Sequence, residues 1–135
     1  MDESLGYWLS GMIDSGANFI IRPKAGCRFR LPFLIEDWEC LQEVQMQTSI
    51  GSLYPQKVYG ATRPRGHWEI QSKPDCVALT RVLDLYPLRT RKQDAYMVWK
   101  RAVFYWTRDE DSGERHEALS YLRTRLLEVT AGDRN

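Results

Sequence analysis

Basic side chains without nearby acids are concentrated in two segments of the sequence, and such side chains are suited to binding phosphate. Between Phe19 and Ile35 the charged residues are Arg22, Lys24, Arg28 and Arg30. Between Gly51 and Trp68 they are Lys57, Arg63 and Arg65. Lysine and arginine contact phosphate oxygens, whereas guanidinium, amide and phenol groups also bind base edges. The residues available for base edges are Gln56, Tyr59, Arg28 and Arg30.

An ordinary solvated strand face is the alternative interpretation of the same charges. The formal net charge is only +1 at pH 7, so bulk charge does not distinguish a nucleic-acid binder. What matters is where the charges lie. The acids are concentrated in the predicted helices and in residues 109–117, which leaves two predicted hairpins with basic faces.

The residue types give little support for a structural metal site or for a catalytic Ser/His/Asp or Cys/His set. Cys27, Cys40 and Cys76 are widely and irregularly spaced, without the paired spacing of a structural zinc site. His67 and His116 are predicted to be surface or structural residues, and no Ser/His/Asp or Cys/His set is apparent. Trp68 could stack on a base of RNA, which leaves RNA as an alternative partner.

Length and composition predict a soluble intracellular protein. The chain has 135 residues, 43% of them hydrophobic and 27% charged, the balance of an ordinary globular domain. The first residues lack the features of a signal peptide, and no apolar run approaches about 20 residues. We therefore expect a cytoplasmic protein, associated with the nucleoid or placed in an organelle, with no membrane partner.

The elements that must position the basic side chains follow from residue periodicity. Helical spacing of apolar residues predicts helices over residues 5–14, 38–48, 75–84, 92–107 and 114–129. Two hairpins are predicted, one from residues 19–24 and 28–35 about a turn at Gly26, the other from residues 51–60 and 67–72. Pro23 and Pro32 predict edge positions or bulges. The predicted fold class is α+β, with an antiparallel sheet covered by helices on one face.

Residues 9–17, LSGMIDSGA, resemble the signature motif of LAGLIDADG homing endonucleases. Further segments resemble the family between residues 5 and 106, among them HWEIQS at 67–72 and LRTRKQD at 88–94. The resemblance implies an αββαββα order with trailing helices. It also implies one domain over residues 1–135, with a core of about residues 5–108 and a C-terminal helix of about residues 114–129.

In that family two signature helices, from two subunits or two fused repeats, pack against each other at a two-fold axis. One copy of the motif therefore implies a homodimer that binds double-stranded DNA through its sheets. The implied interface residues are Leu9, Ser10, Gly11, Met12 and Ile13. The alternative for the apolar members of this set is an ordinary role in the core.

The motif departs from the family at the position of the metal-binding acid, which here is Gly16. That acid holds a divalent ion, usually Mg²⁺, for phosphodiester cleavage. Asp14, two positions earlier, is a weak candidate for the catalytic or metal-binding role, and a structural role at the helix end is the alternative. Because glycine has no side chain that binds metal, the resemblance implies lost or weakened nuclease activity.

The family also places a basic residue near the scissile phosphates, and its counterparts here are Arg91 and Lys92. The leading hypothesis is thus a sequence-specific, homodimeric DNA binder, acting as a regulator or as a decaying product of an intron or other mobile element. The alternatives are an active Mg²⁺-dependent homing endonuclease, in which Asp14 or backbone carbonyls hold the metal, and an RNA-binding intron maturase. An interaction module without nucleic acid is the remaining alternative.

Overall fold

The computed structural model describes residues 1–56, 60, 63–108 and 110–132. Helix α1 (Glu3–Gly16) is followed by strands β1 (Asn18–Arg22) and β2 (Gly26–Leu34), then by helix α2 (Trp38–Thr48). Strands β3 (Ser52–Gln56) and β4 (Arg65–Ile70) precede helices α3 (Lys73–Leu85), α4 (Lys92–Arg108) and α5 (Gly113–Gly132). The predicted fold class and element order are confirmed.

Four antiparallel strands form the sheet in the order β1-β2-β4-β3. Period-two alternation places Phe29 and Leu31 in the core, at no more than 1% exposure. Arg28 and Arg30, which alternate with them along β2, face away from the core. Trp68 and Ile70 of β4 are also fully buried. One face of the sheet is therefore covered by the core, and the opposite face is what we call the open face.

The hairpin turn between β1 and β2 is centred two residues before its predicted centre, Gly26. Pro23, Lys24 and Ala25 form the turn, and Gly26 is already the first residue of β2, paired with Arg22. Gly26 has a φ of 104°, a conformation that favours glycine. A side chain there would also collide with the indole of Trp106, so close helix packing accounts for the glycine.

Pro32 lies in a part of β2 that is paired with a neighbouring strand on one side only, which agrees with its predicted edge location. β1 pairs with β2 only from Gly26 to Arg30, whereas β4 pairs with β2 from Phe29 to Leu34. Pro32 thus has a neighbouring strand on one side only, where a missing backbone N–H is tolerated.

Helix α4 joins the helical layer to the sheet through Trp99, which is fully buried. Its indole Nε1–H donates to the carbonyls of Ile20 at 3.2 Å and Arg28 at 2.9 Å, two residues paired across β1 and β2. The ring also lies 5.3 Å from that of Phe19, centroid to centroid. This one side chain fixes the position of α4 relative to the first hairpin.

The helix ends differ in detail from the sequence prediction. Asp2 caps α1, because its carboxylate accepts from the backbone N–H groups of Ser4 and Leu5, so the helix begins earlier than predicted. On α5 the predicted apolar residue Leu127 is 56% exposed, while Leu119, Leu122 and Leu126 are buried. None of the helices in the described part of the chain is long and apolar enough to span a membrane.

Candidate nucleic-acid interface

Cross-strand pairing arranges the open face into rows of side chains. One row is Asn18, Arg30, Glu69 and Ser52, which are successive partners across β1, β2, β4 and β3. The next rows are Pro32, His67 and Tyr54, then Leu34, Arg65 and Gln56. Polar and charged groups therefore occupy most positions of these rows, apart from Pro32 and Leu34, a pattern suited to contacting an extended polar surface.

The structure brings several predicted basic residues together on this face. Arg22, Arg28 and Arg30 alternate with core residues along the first hairpin, and Arg65 begins β4. Arg28 and Arg30 are half-buried, so their aliphatic stems are held in place, whereas Arg22 and Arg65 are exposed. Lys24 is exposed in the connecting turn. A phosphate backbone lying on the open face would be within the field of all of these cations.

The second hairpin contributes less positive charge than its sequence predicts. The Arg63 guanidinium donates to the Glu36 carboxylate at 2.9 Å, so an acid from the segment after β2 lies against it. This hydrogen bond is the main reason that the pKa of Glu36 is lowered. Gln56 is exposed at the end of β3. Lys57 and Tyr59 lie outside the described residues.

The residues at the centre of the open face were not predicted from the sequence as site residues. They are His67, Glu69 and Tyr54, together with Asn18 and Ser52. His67, which the sequence predicts to be a surface or structural residue, lies between Arg30 and Glu69 on this face. Alternation from the buried Trp68 and Ile70 was the signal that could have placed His67 and Glu69 on this face.

A second part of the site lies where α1 meets the start of α4. The Asp14 carboxylate accepts hydrogen bonds from the backbone N–H groups of Arg89 at 2.9 Å and Thr90 at 3.1 Å. It also accepts from the Thr90 hydroxyl at 2.8 Å. The Lys92 ammonium donates to the Ala17 carbonyl at 3.0 Å, directly before Asn18 of the open face. Asp14, Thr90, Arg91 and Lys92 line one shallow depression.

These residues do not fit a divalent metal as they stand. Gly16 offers no side chain, and both carboxylate oxygens of Asp14 are engaged by donors of the segment before α4. The Ala17 carbonyl, one residue after Gly16, already accepts from the Lys92 ammonium, whose charge opposes a second cation. The described residues contain no cluster of three or more His, Cys, Asp or Glu side chains that could hold a metal.

The hydrogen bonds of Asp14 indicate a structural role, in which its carboxylate holds the segment just before α4. We predict that Asp14→Ala lowers the free energy of unfolding by about 0.5–2 kcal/mol, the usual cost of losing a capping carboxylate. Hydrogen exchange of the Arg89 and Thr90 amides should accelerate more than that of the α4 amides that follow them. Ser15→Ala is the matched control, because Ser15 is exposed and bonds only to the Met12 carbonyl of its own helix. Equal effects of both changes would contradict this role.

Helix α1 exposes a face of small and aromatic residues on its outer side. Tyr7 is 49% exposed, Gly11 is exposed, and a side chain added at Gly11 would meet no atom within 4 Å. Met12 is half-buried. The other implied interface residues, Leu9, Ser10 and Ile13, are buried within this chain, and the Ser10 hydroxyl donates to the Tyr86 carbonyl. Gly11 and Tyr7 are thus the residues that a partner helix could contact directly.

Comparison with known structures defines the fold. The sequence matches no protein-family model and no curated protein. Its structure is similar to that of the LAGLIDADG homing endonuclease I-LtrWI bound to target DNA, with a TM-score of 0.73 and 18% identity over 87% of this chain. It is also similar to I-SmaMI bound to cleaved DNA, with a TM-score of 0.72 and 17% identity over 87% of this chain.

A third solved structure, the meganuclease I-CpaMI bound to uncleaved DNA, matches 82% of this chain at a TM-score of 0.65 and 20% identity. The chain therefore has the LAGLIDADG homing endonuclease fold, as the motif in α1 predicted. It spans 42% of the matched I-LtrWI and I-SmaMI chains and 39% of the I-CpaMI chain.

Proposed function

We propose that this protein binds double-stranded DNA sequence-specifically as a homodimer, with the open face of each sheet in the major groove. The observation that carries the proposal is the row of polar and charged side chains across the sheet, in which Arg30 lies between Asn18 and Glu69, with Arg28 two residues away on the same face. Cations contribute affinity through phosphate contacts, and fixed side chains in the groove contribute specificity. The three similar structures named above were all determined with DNA.

Two observations support the homodimer. This sequence carries one copy of the signature-like motif, in α1, and the resemblance implies that two such helices pack against each other. The exposed side of α1 offers Gly11, where two helices can approach closely, beside the exposed ring of Tyr7. Two identical helices meeting there would form an isologous interface and would place the two sheets along one pseudo-palindromic site.

The proposal includes nuclease activity that is lost or strongly weakened. Gly16 stands where the family has its metal-binding acid, and the donors around Asp14 and Ala17 leave no oxygen set for a divalent ion. The cations at the start of α4 are retained. Arg91 is exposed, and Lys92 is anchored at the end of α1, next to the open face. These residues can hold central phosphates without a metal.

A selection from a random library of duplex DNA tests this function. The full chain would be incubated at about 150 mM salt, where non-specific phosphate binding is weakened. Bound and cut fragments would be sequenced separately, with and without Mg²⁺, and sedimentation would give the stoichiometry of the complex. We expect a pseudo-palindromic site, bound by two copies and uncut in both conditions.

Each other outcome of this selection contradicts a defined part of the proposal. Cleavage in Mg²⁺ would show that another ligand serves in place of Gly16 and that the chain is an active endonuclease. Enrichment of a site without symmetry, bound by one copy, would refute the homodimer. Failure to enrich any duplex, combined with tight binding of structured RNA, would refute the DNA proposal and favour the maturase alternative.

A further inference from the structure

His67 lies in the middle of the open face and bonds through both ring nitrogens. Its Nδ1 is 3.3 Å from Nη2 of Arg30, and its Nε2 is 3.4 Å from a carboxylate oxygen of Glu69. A guanidinium has donors only, so Nδ1 must accept the Arg30 bond. The ring proton of the neutral imidazole then lies on Nε2, facing Glu69. Both partners thus favour the same neutral tautomer.

The His67 ring is held in place by its neighbours in the row. Tyr54 of β3 stacks on it, with ring centroids 5.3 Å apart and an angle of 30° between the planes. The His67 side chain is only 13% exposed, whereas Tyr54 is 42% exposed. Because little of the imidazole is accessible, His67 is a positioning residue, and the group that it positions is Arg30.

Arg30 presents the remaining donors of its guanidinium on the open face. The Nη2 bond to His67 restricts the orientation of the group, so the other N–H donors have a preferred direction. In the major groove guanine offers two acceptors, O6 and N7, whereas adenine offers one acceptor and one donor. A fixed guanidinium with two parallel donors is complementary to guanine alone among the four bases.

We propose that Arg30, oriented by the neutral imidazole of His67, reads one guanine in each half-site, and that this reading fails when His67 is protonated. The inference rests on the proposed DNA-binding function. A protonated imidazole carries a hydrogen on both nitrogens, so it cannot accept from Arg30. It also adds a positive charge beside the guanidinium, which would displace Arg30 from its position.

The pH range follows from the groups around the ring. Arg30 of β2, Tyr54 of β3, and Glu69 and Arg65 of β4 are the ionisable side chains facing His67 from the three strands. Partial burial and the nearby Arg30 charge lower the pKa of His67 from its usual 6.5, while Glu69 opposes this shift. The imidazole is therefore neutral at pH 7.5 and becomes protonated below pH 6.5. Among these side-chain types, imidazole alone ordinarily titrates in this range.

The base contact is tested with the Arg30→Met variant on the site recovered by selection. For the wild-type protein, replacing the critical guanine by 7-deazaguanine, which lacks the N7 acceptor, should weaken binding about 5- to 150-fold. The Arg30→Met variant should bind both DNAs equally, and a repeated selection with it should lose guanine at one mirrored position while keeping the others. An Arg30→Met variant that still prefers that guanine would overturn this inference and leave the DNA-binding proposal intact.

The role of His67 is tested by two variants over a range of pH. In His67→Asn the side-chain oxygen takes the place of Nδ1 as an acceptor but does not titrate. In His67→Phe the ring can still stack on Tyr54 but has no acceptor. Guanine discrimination by the wild type should fall as the pH is lowered from 7.5 through the protonation of His67, followed by NMR of its imidazole, remain high throughout in His67→Asn, and be low throughout in His67→Phe.

Different results separate the two proposals. Discrimination by the wild type that is unchanged once NMR shows the His67 imidazole to be protonated, or a pH profile of His67→Asn that follows the wild type, would overturn the role of His67. A wild-type chain that binds no duplex DNA would overturn both this inference and the proposed function. If His67→Phe does not fold, as judged by circular dichroism, the wild-type pH profile and the His67→Asn variant still test the role of His67.

Discussion

Gly16→Asp should produce cleavage of the selected site in Mg²⁺, with the wild-type chain leaving the same DNA intact. The position is open, because a side chain added at Gly16 meets no atom within 4 Å. A carboxylate there restores the acid of the signature motif at the end of α1. An acid in the last turn of a helix ordinarily costs about 0.3–1 kcal/mol, so the variant should still fold. Gel analysis of the end-labelled site gives the measurement.

The control for this change is Ser15→Asp. Ser15 is exposed and precedes Gly16 by one residue, so the variant has the same net charge, with its carboxylate pointing in a different direction around the helix. It should bind DNA without cutting it. A Gly16→Asp protein that folds and binds its site but does not cut would show that the missing acid is not the sole defect. Metal binding measured by calorimetry would then show whether the ion is held.

Trp99→Ala should lower the free energy of unfolding by about 3–5 kcal/mol, the range for removing a fully buried aromatic side chain. The loss includes both hydrogen bonds from the indole to the Ile20 and Arg28 carbonyls. Because these carbonyls belong to paired strands, the first hairpin should also lose its fixed position against α4. Urea denaturation followed by circular dichroism measures the change.

Two further changes in α4 separate the contributions to this effect. Trp99→Phe keeps most of the apolar volume but removes the N–H donor, so it should cost about 1–3 kcal/mol for carbonyls left without that partner. Phe104→Ala removes an aromatic side chain that is 49% exposed, and surface changes are usually within about 0.5 kcal/mol. If Trp99→Ala were no more destabilising than Phe104→Ala, the anchoring role of the indole would be wrong.

Features that depend on local spacing were predictable from the sequence. The alternation of Arg28 and Arg30 with Phe29 and Leu31 places the basic residues on one side of a strand whatever the strand packs against. Helical spacing likewise located the helices, with ends displaced by a few residues. The start of α1 depends instead on its N-cap, Asp2. The hydrogen bonds to the Asp2 carboxylate can form only once the first turn of the helix is in place.

Features that depend on pairing between distant segments were not predictable in this way. The contact of His67 with Arg30 joins residues 37 positions apart, and it exists only because β4 pairs with β2 in one register. A shift of one residue would turn His67 towards the core. The ion pair of Arg63 with Glu36 and the bond of Ser10 to the Tyr86 carbonyl likewise depend on the folded chain. Sequence periodicity carries no signal for them.

The two border strands of the sheet also limit how copies of this protein can assemble. β1 is followed at once by Pro23, and β3, a strand of five residues, contains Pro55. Pro55 removes a backbone donor from β3, and Pro23 stops β1 from extending beyond five residues, so both borders are short templates for a strand from another molecule. Growth of the sheet from chain to chain is thereby discouraged. Self-association would then be confined to helical surfaces, which favours closed pairs over open-ended fibres.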